Sequence, residues 1–311
     1  MAVDVSVLMV VYGRWDLTER CVRSLLGSRG VSVRITLVDN GHPDPAPQWA
    51  KGTPGLRYHR SGENLGFAAG MNLAFREARP DGAGLCMVVN NDTVFPPGSL
   101  DSITEFMSSR PDAGAAGPPI LHAEDPQRVW SAGGFLQPWL MRFDQRRWPT
   151  RADLPSQPVE VDMLSGCAMM VRSDILEALG GFREDLFMYY EDADLCRRMS
   201  EAGHGVWLVP GEEGVLHHVE ASSAAAPWLP QYCSRRNRLI ISPAVQTPVQ
   251  RAFFVLWMWL GTLLKTLASL RPGRVGGIPW LWRAMVHGLA GRGGPPRKTL
   301  RRWSGARHLP G

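Results

Sequence analysis

Three acidic side chains are crowded into the segment FMYYEDADLCRRM, which runs from Phe187 to Met199. Glu191, Asp192 and Asp194 lie within four residues, directly behind an aromatic cluster. Mutual repulsion among three carboxylates raises the pKa of at least one of them, and a general base that works near neutral pH needs such a raised pKa. The spacing therefore indicates a candidate general base.

The same segment is also typical of an ordinary helix start. Asp192 can occupy the N-cap and Asp194 the first turn, because carboxylates stabilise helix N-termini. Leu195 and Met199 would then lie on one apolar face, and Gly203 would end the helix. The residues alone leave both interpretations open.

Polar side chains also follow two predicted buried strands. Asp39 ends the apolar run from Val33 to Val38, and Asn90, Asn91 and Asp92 end the apolar run LCMVV. Ligands of open α/β sheets bind at the carboxyl ends of strands. Asp92 is there a candidate ligand for Mg²⁺ or Mn²⁺ shared with a diphosphate, since hard cations take oxygen ligands and substrate phosphates.

Three further segments have a binding and a structural interpretation. Asp39 could accept a hydrogen bond from a nucleobase, but the Asn-Gly pair after it is a turn signal. NLGFAAGMN, from Asn64 to Asn72, suits a phosphate or ribose at a helix N-terminus, and equally a plain helix start. His217 and His218 could bind a metal or a phosphate, although most histidines do neither. They lack partners at the short spacing of a structural zinc site.

Strand patterns alternate with helical patterns along the first half of the chain. Val5 to Tyr12 reads as a buried strand, Asp16 with Glu19 as the capping box of a helix, and Phe67 to Arg79 as a second helix. This alternation predicts a parallel sheet with helices on both faces. The segment from Pro118 to Pro158 is rich in Pro, Trp and Arg and predicts a surface excursion that contacts an acceptor.

Absent motifs exclude two nucleotide-binding classes. No G-x-G-x-x-G follows the first strand and no G-x-x-x-x-G-K-[ST] occurs, which argues against dinucleotide oxidoreductases and P-loop proteins. The five cysteines form no C-x-x-C pair and are odd in number, so we expect buried thiols in a reducing compartment. The N-terminus reads as a first strand without a basic leader, which predicts a cytoplasmic location.

Charge is distributed unevenly over the 311 residues. The last 91 residues carry 14 Lys and Arg and no acid, whereas the first 220 carry 20 basic and 29 acidic groups, a net charge of −9. An acidic body with a basic, apolar tail predicts contact with an anionic surface. The 19-residue run from Ala252 to Leu270 carries one charge and is at the lower limit for a bilayer span. Because Trp257 and Trp259 lie in mid-segment, interfacial helices fit better, with a helical pair packed on the body as the alternative.

Together these segments resemble the family 2 glycosyltransferases of the GT-A fold, and within them the bacterial L-rhamnosyltransferases. The motifs that carry the resemblance, over nearly the whole chain, are VSVLMVVYGR, LVDNGH, NLGFAAGMN, VVNNDTVFPPGSL, LSGCAMMVRSDILEALGGFREDLFMYYEDADLCRRMSEAG, LHHVEASS, RRNRLI and HGLAGRGG. The resemblance implies an α/β fold of the GT-A type, a mixed sheet with helices on both faces and a C-terminal helical appendage. It implies a catalytic domain over residues 1–230 and a basic, apolar helical tail over 231–311 that associates with a membrane.

The resemblance also implies roles for individual residues. Asp192 is then the base that removes the acceptor hydroxyl proton, with Glu191 as its rival. Asp92 binds Mg²⁺ or Mn²⁺, with His218 or His217 beside the metal or the diphosphate. The residues expected to bind the nucleotide-sugar donor are Tyr12, Asp39, Asn64, Gly66, Asn72, Asn90, Asn91. The chain has Asn90 where a strict D-x-D motif has its first Asp, and it lacks a Q-x-x-R-W segment, which predicts transfer of one sugar per encounter.

The expected reaction is an inverting transfer of one sugar, L-rhamnose from dTDP-rhamnose as the first choice, to a hydroxyl of a lipid-linked glycan. A soluble small-molecule acceptor is the alternative, and a non-catalytic sugar-nucleotide-binding or membrane-surface protein a further one. An inverting transfer needs a base and charge neutralisation on the leaving diphosphate, and two carboxylate regions suffice for it. We expect no nucleic-acid partner and a peripheral location at the inner face of the cytoplasmic membrane.

Overall fold

The computed structural model describes residues 3–28, 30–145, 147–211, 213–219, 228–270 and 277–296. Its strands are β1 Val3–Val11, β2 Val31–Asp39, β3 Leu56–Arg60, β4 Leu85–Asn90, β5 Thr93–Val94, β6 Ala113–Gly117, β7 Ile120–His122, β8 Val129–Ser131, β9 Phe135–Gln137, β10 Arg142–Asp144, β11 Val159–Glu160, β12 Ala168–Arg172, β13 Gly205–Leu208, β14 Val215–His217. Its α-helices are α1 Trp15–Leu26, α2 Gln48–Gly52, α3 Gly66–Ala78, α4 Asp101–Ser109, α5 Ser173–Ala178, α6 Glu191–Glu201, α7 Leu229–Val245, α8 Pro248–Ala268, α9 Ile278–Leu289. The EASS end of the LHHVEASS motif and the tail from Arg297 onward lie outside the described residues.

An eight-stranded mixed sheet forms the centre of the fold. Its strand order is β11-β13-β6-β12-β4-β1-β2-β3. The strands β1 to β4 are parallel, as the alternation of strand and helix patterns predicts. β12 runs antiparallel between β4 and β6, so that the sheet as a whole is mixed. The prediction of an α/β mixed sheet is confirmed. The parallel arrangement that the strand-helix alternation predicts is found for β1 to β4, and the antiparallel strand β12 interrupts it.

Helices cover both faces of this sheet because the residues of β1 alternate between two cores. Val5, Val7 and Met9 pack with residues of α1 and α4 in one hydrophobic cluster. Leu8 packs with residues of α3, α5 and α6 in the other. This period of two is the expected geometry of a strand that is buried on both sides.

A second, four-stranded sheet lies over the carboxyl end of the central one, with the order β5-β14-β7-β8. In this sheet β5, which directly follows Asp92, pairs with β14, the last strand in the described part of the chain. β7, β8, β9 and β10 all belong to the segment from Pro118 to Pro158, which the sequence predicts to be a surface excursion. The segment is therefore built into the fold as short strands.

The C-terminal helices form two different surfaces. α7 packs closely on α9, where Leu239 and the backbone of Arg236 leave no room for a side chain at Gly288. Within the described part of the chain, α8 is the one helix long and apolar enough to cross a membrane by length and composition, with a mean hydropathy of 1.2. Its buried residues are Phe254, Met258 and Thr262, while most of its large apolar side chains are exposed.

All five cysteines are free and buried, as the sequence predicts. Burial raises the pKa of the Cys21 thiol to about 12 and that of Cys86 to about 11. Because the thiolate is the reactive form of cysteine, these thiols are inert.

Candidate active site

One cavity of about 740 Å³ gathers most of the predicted site residues. It lies at the carboxyl ends of the central strands, where α/β sheets bind their ligands. Nine predicted residues line it, namely Tyr12, Asn64, Gly66, Asn90, Asn91, Asp92, Glu191, Asp192, His217. The volume lies within the range of ligand pockets.

Asp92 and His217 form the first pair of polar groups in this cavity. Nε2 of His217 lies 3.2 Å from Oδ1 of Asp92, and that oxygen is buried without a hydrogen-bond partner among the described residues. The cause is strand pairing, because β14 runs antiparallel to β5 with His217 opposite Thr93. The ring of Trp130 packs edge-on against the imidazole at a centroid distance of 4.3 Å and fixes its orientation.

His218 is directed elsewhere, because neighbouring residues of a strand alternate between its two faces. Its backbone N–H donates to the carbonyl oxygen of Asp92 at 2.9 Å, and its Nδ1 lies 3.5 Å from the carboxylate of Glu124. His218 is not among the residues that line the cavity. Of the two predicted histidines, the geometry therefore favours His217 as a metal ligand.

Asp192 and Glu191 form the second pair, at the first turn of α6. Asp192 is partly exposed and accepts hydrogen bonds from the N–H groups of Gly166 at 3.1 Å and Ala193 at 2.8 Å. Glu191 is buried, and its Oε2 has no hydrogen-bond partner among the described residues. The two carboxylates therefore have different surroundings although they are adjacent in the chain.

Burial raises the pKa of both carboxyl groups. Burial raises the pKa of Glu191 well above its usual range, and the neighbouring charge of Asp192 adds to the rise. Burial also raises the pKa of Asp192, while its backbone hydrogen bonds, that from Gly166 foremost, oppose the rise. Hydrogen bonds to the ionised form favour that form. A proton shared by the pair is therefore held preferentially by Glu191, which leaves Asp192 as the carboxylate.

Asp194, the third acid of the cluster, has a structural role. It is fully buried, and its oxygens lie 2.8 Å from Nε of Arg198, 3.3 Å from Arg197 and 3.6 Å from Arg183. These ion pairs compensate the burial of its charge. Asp194 thus holds α6 in place and is not among the residues that line the cavity.

The chain enters α6 through a strained loop. Phe187, Tyr189 and Tyr190 have φ angles of 65°, 67° and 71°, although none of them is glycine. Non-glycine residues in sparsely populated backbone regions cost on the order of 1–3 kcal/mol each and persist only where the surroundings hold them. Tyr190 is the N-cap of α6, two residues before the cap that the sequence suggests at Asp192, and the first helical residue is Glu191.

The predicted donor loop, from Asn64 to Asn72, contributes Asn64 and Gly66 to the lining of the cavity. Asn40 is buried and binds the loop at three points: Nδ2 donates to Asn64 Oδ1 and to the carbonyl oxygen of Gly66, and Oδ1 accepts from the N–H of Leu65. Burial raises the pKa of Tyr12, and a hydrogen bond with Asn64 opposes the rise. The arrangement presents backbone and amide groups that can bind a polar ligand.

Two predicted donor-binding residues do not line the cavity. Asp39 is fully buried, and its carboxylate accepts hydrogen bonds from the hydroxyl of Tyr58 at 2.8 Å and the N–H of His42 at 3.3 Å. Asn72 is buried and bonds both the N–H and the carbonyl oxygen of Phe182. Asn91 does line the cavity, although its side chain also donates to the hydroxyl of Thr18 at 2.9 Å.

Sequence reasoning misses several residues that line the cavity. Trp130, Phe143 and Gln145 come from the segment interpreted as a surface excursion. Ser165 and Gly166 come from the turn before β12. For Trp130, Phe143 and Gln145, the sequence signal is the Pro-rich and Arg-rich composition of the segment from Pro118 to Pro158. This composition indicates contact with a ligand, but it does not identify which residues make that contact.

The two carboxylate regions are close in space. Asp92, Asp192 and the buried residue Cys167 line the same cavity. Burial raises the pKa of the Cys167 thiol well above its usual range, and the charges of Asp92 and Asp192 add to the rise. A ligand in this cavity can therefore contact the Asp92–His217 pair and the carboxylates of α6 at the same time.

Comparison with known families gives one extended match. The model described as Glycosyl transferase family 2 matches residues 6–180. The Mycobacterium tuberculosis protein named N-acetylglucosaminyl-diphospho-decaprenol L-rhamnosyltransferase is 32% identical over 245 residues, which cover 71% of this chain and 78% of that protein. The Escherichia coli rhamnosyltransferase WbbL is 25% identical over 238 residues, covering 72% of this chain and 89% of that protein.

Solved structures confirm the fold. The mannosyltransferase PcManGT from Pyrobaculum calidifontis, solved with GDP-Man and Mn²⁺, matches with a TM-score of 0.57 and 17% identity over 98% of this chain and 80% of that one. GalNAc-T7, solved with UDP, GalNAc and Mn²⁺, matches with a TM-score of 0.63 and 12% identity over 99% of this chain and 58% of that one. The predicted GT-A fold is therefore confirmed.

Proposed function

Because the chain belongs to glycosyl transferase family 2, we propose that it moves one sugar from a nucleotide-diphosphate donor to a hydroxyl of a lipid-linked glycan, with inversion at the sugar. L-Rhamnose from dTDP-rhamnose is the proposed donor, since the relatives from M. tuberculosis and E. coli are both named rhamnosyltransferases. The observation that carries the proposal is the single cavity that holds Asp92 with His217 and Asp192 with Glu191.

The general base is assigned to Asp192. It is ionised more readily than Glu191, it faces the cavity, and the amides of Gly166 and Ala193 fix its carboxylate. An inverting transfer needs a base that takes the proton of the attacking hydroxyl as the bond to the sugar forms. Burial raises the pKa of Glu191 and so disfavours a second negative charge beside the acceptor.

Asp92 and His217 fit a divalent cation. The buried, unpartnered Oδ1 of Asp92 and Nε2 of His217 are the two donor atoms that would hold Mg²⁺ or Mn²⁺. Among the described residues no group of three or more His, Cys, Asp and Glu side chains is placed to hold a metal ion. Oxygen atoms of the donor diphosphate would therefore supply the remaining ligands. The cation supplies positive charge for the leaving diphosphate.

Apolar surface next to the cavity supports a lipid-linked acceptor. A second cavity of about 290 Å³ shares Phe143 and Tyr190 with the first and is lined further by Met141 and Ile241. Met141 and Ile241 belong to the same hydrophobic cluster as Phe254 of α8. A row of apolar side chains thus connects the cavity that contains Asp192 with α8, the helix whose outer face is apolar and exposed.

The transfer reaction is tested with purified full-length protein and Mn²⁺. We expect nucleotide release from dTDP-rhamnose that depends on a lipid-linked N-acetylglucosamine diphosphate acceptor, with little release from UDP- or GDP-sugars. The product is extracted into the organic phase and its mass is measured. Transfer of a sugar from a different donor would correct the donor, and transfer only to soluble acceptors would overturn the lipid-linked assignment.

The exposed side of α8 is proposed to lie on an anionic membrane surface, with the protein peripheral at the inner face of the cytoplasmic membrane. Leu256, Leu260 and Leu263 are 71%, 52% and 46% exposed and lie on one side of the helix. A large exposed apolar patch marks a membrane or protein contact. The basic groups of the tail add about 1 kcal/mol of attraction each near an anionic surface.

We expect the triple variant Leu256→Gln, Leu260→Gln, Leu263→Gln to lose flotation with anionic vesicles, because it removes the apolar contact and leaves every basic group in place. Circular dichroism should show an unchanged fold, since Phe254 and Met258 keep the buried side. Full-length protein should float at low salt and retain part of this binding at high salt. Wild-type protein that stays in the soluble fraction at low salt would contradict the membrane assignment.

A further inference from the structure

The strained loop before α6 is held from the side of the C-terminal appendage. Asn237 of α7 is fully buried, and its Nδ2 lies 2.9 Å from the carbonyl oxygen of Leu186, 3.0 Å from that of Met188 and 2.6 Å from that of Tyr189. One side-chain amide thus binds three carbonyl groups over four consecutive residues. These carbonyls belong to the turn in which Phe187 and Tyr189 have positive φ angles.

Arg236 fixes the orientation of that amide. It is fully buried, and its Nε donates to Oδ1 of Asn237 at 2.9 Å. Because a guanidinium has no acceptor, Asn237 must present its oxygen to Arg236 and therefore its NH₂ group to the loop. Arg236 also donates to the carbonyl oxygen of Leu186 at 2.8 Å.

The opposite side of the loop is bound by the donor-side helix. The carbonyl oxygen of Phe187 accepts from the N–H groups of Phe67 at 2.7 Å and Ala68 at 3.2 Å, at the N-terminus of α3. A Cβ at Gly66 would lie 2.6 Å from that oxygen, so that only glycine allows the approach. The loop is therefore held between α3 and α7, and α6 with its two carboxylates begins where the loop ends.

We propose that Asn237 is a positioning residue of the transferase, which holds the backbone of residues 186–189 and thereby aims Asp192 at the acceptor. The inference rests on the proposed role of Asp192 as the base. It assigns the appendage a part in catalysis through α7, separate from the membrane contact proposed for α8. A displacement of about 1 Å at a catalytic group can lower a rate by about 10²-fold, so a loosened loop is expected to act on the chemical step.

A purely structural role makes a different prediction. A buried amide has to be hydrogen-bonded wherever it lies, and its loss then lowers thermal stability without acting selectively on turnover. The distinguishing quantity is kcat measured with saturating donor and acceptor, in protein shown to be folded and able to bind donor.

The test compares Asn237→Asp and Asn237→Ala with Arg235→Gln as the matched control, using detergent-solubilised acceptor and isothermal titration with the nucleoside diphosphate. Asn237→Asp keeps the shape of the side chain but presents a carboxylate to three carbonyl oxygens. Arg235 lies two residues earlier on α7, is partly buried and donates instead to Thr262 of α8 at 2.8 Å.

We expect both Asn237 variants to lose about 10- to 100-fold in kcat while nucleotide affinity stays within about twofold, and Arg235→Gln to keep its kcat. Wild-type kcat in folded Asn237→Asp or Asn237→Ala would overturn the inference, as would an equal loss in Arg235→Gln. Parallel loss of nucleotide affinity and kcat in both variants would assign Asn237 to general stability and overturn it too. Failure of the proposed function is recognised separately, because wild-type protein would then show no transfer.

Discussion

Replacing Asp192 by asparagine is expected to lower the rate of sugar transfer by about 10²- to 10⁴-fold, the range that a general base contributes. Asparagine has the same shape, and its single oxygen can accept one of the two hydrogen bonds that Gly166 and Ala193 donate to the two oxygens of Asp192. The loop before α6 should keep its conformation, because Asn237 and the N-terminus of α3 bind its backbone without using this side chain. Donor affinity should be nearly unchanged, because the proposed contact with the diphosphate is at Asp92 and not at Asp192. Steady-state kinetics and titration with the donor nucleotide measure the two effects separately.

Glu191→Gln is the matched control for this variant. It is expected to retain transfer, because burial raises the pKa of Glu191 and so favours the neutral form, which glutamine resembles. The raised pKa of Glu191 in the folded protein contributes stability that is fully present below the ordinary pKa of about 4.3 and is lost as the pH rises through the raised value. The variant should therefore melt at a higher temperature than wild type under alkaline conditions, with a smaller difference in acid. Inactive Glu191→Gln beside active Asp192→Asn would move the base to Glu191.

Replacing Asp92 by alanine is expected to remove the response to Mg²⁺ and Mn²⁺ and to lower kcat/KM by on the order of 10²-fold or more. Asp92 is the carboxylate in the cavity whose Oδ1 is buried, unpartnered and 3.2 Å from an imidazole nitrogen. Donor affinity should fall with it, since Asp92 is the proposed carboxylate that would hold the cation for the diphosphate. Titration with the donor nucleotide at several metal concentrations gives the second readout.

Glu124→Gln controls for the choice between the two histidines. This exposed carboxylate lies 3.5 Å from His218, and its loss should change neither the metal response nor donor affinity. His217→Ala should weaken the metal response, whereas His218→Ala should not. Full wild-type activity in a strong chelator would refute the metal assignment, and a greater loss in His218→Ala than in His217→Ala would reverse the histidines.

Local patterns in the sequence predict the α/β class and several segments that line the cavity, whereas the mixed sheet of the GT-A fold was implied by the family resemblance. The apolar runs that end at Asp39 and Asp92 are parallel strands of the central sheet. Glu191 and Asp192 of the FMYYEDADLCRRM segment share a cavity with Asp92, although they lie about a hundred residues further along the chain. These features are predictable because consecutive residues determine where a strand ends and where acidic side chains cluster.

Capping was predicted wrongly in two places. α1 has Arg14 as its N-cap, in the left-handed conformation, and Asp16 pairs with Arg14 at 2.9 Å instead of capping the helix. α6 has Tyr190 as its N-cap, likewise left-handed. At α6 the reason is tertiary: hydrogen bonds from Asn237 and from the N-terminus of α3 hold the incoming backbone, and they override the preference of a nearby aspartate for the cap position.

The choice between His217 and His218 could not be made from sequence. It depends on the register of β14 against β5, which places His217 opposite Thr93 and turns His218 to the other side. The local sequence contains two equivalent histidines, and only pairing with a distant strand distinguishes them. The same holds for Asn237, whose three acceptors lie about fifty residues earlier in the chain.

The pairing of β5 with β14 has a consequence for biosynthesis of the protein. Asp92 leaves the ribosome more than a hundred residues before His217, and Asn237 follows later still. A nascent or prematurely terminated chain therefore carries the early strands and the predicted donor loop without His217, the proposed second metal ligand, or the α7 contacts. Asp92 and the loop before α6 therefore acquire their neighbours β14 and α7 only after those later segments have been synthesised.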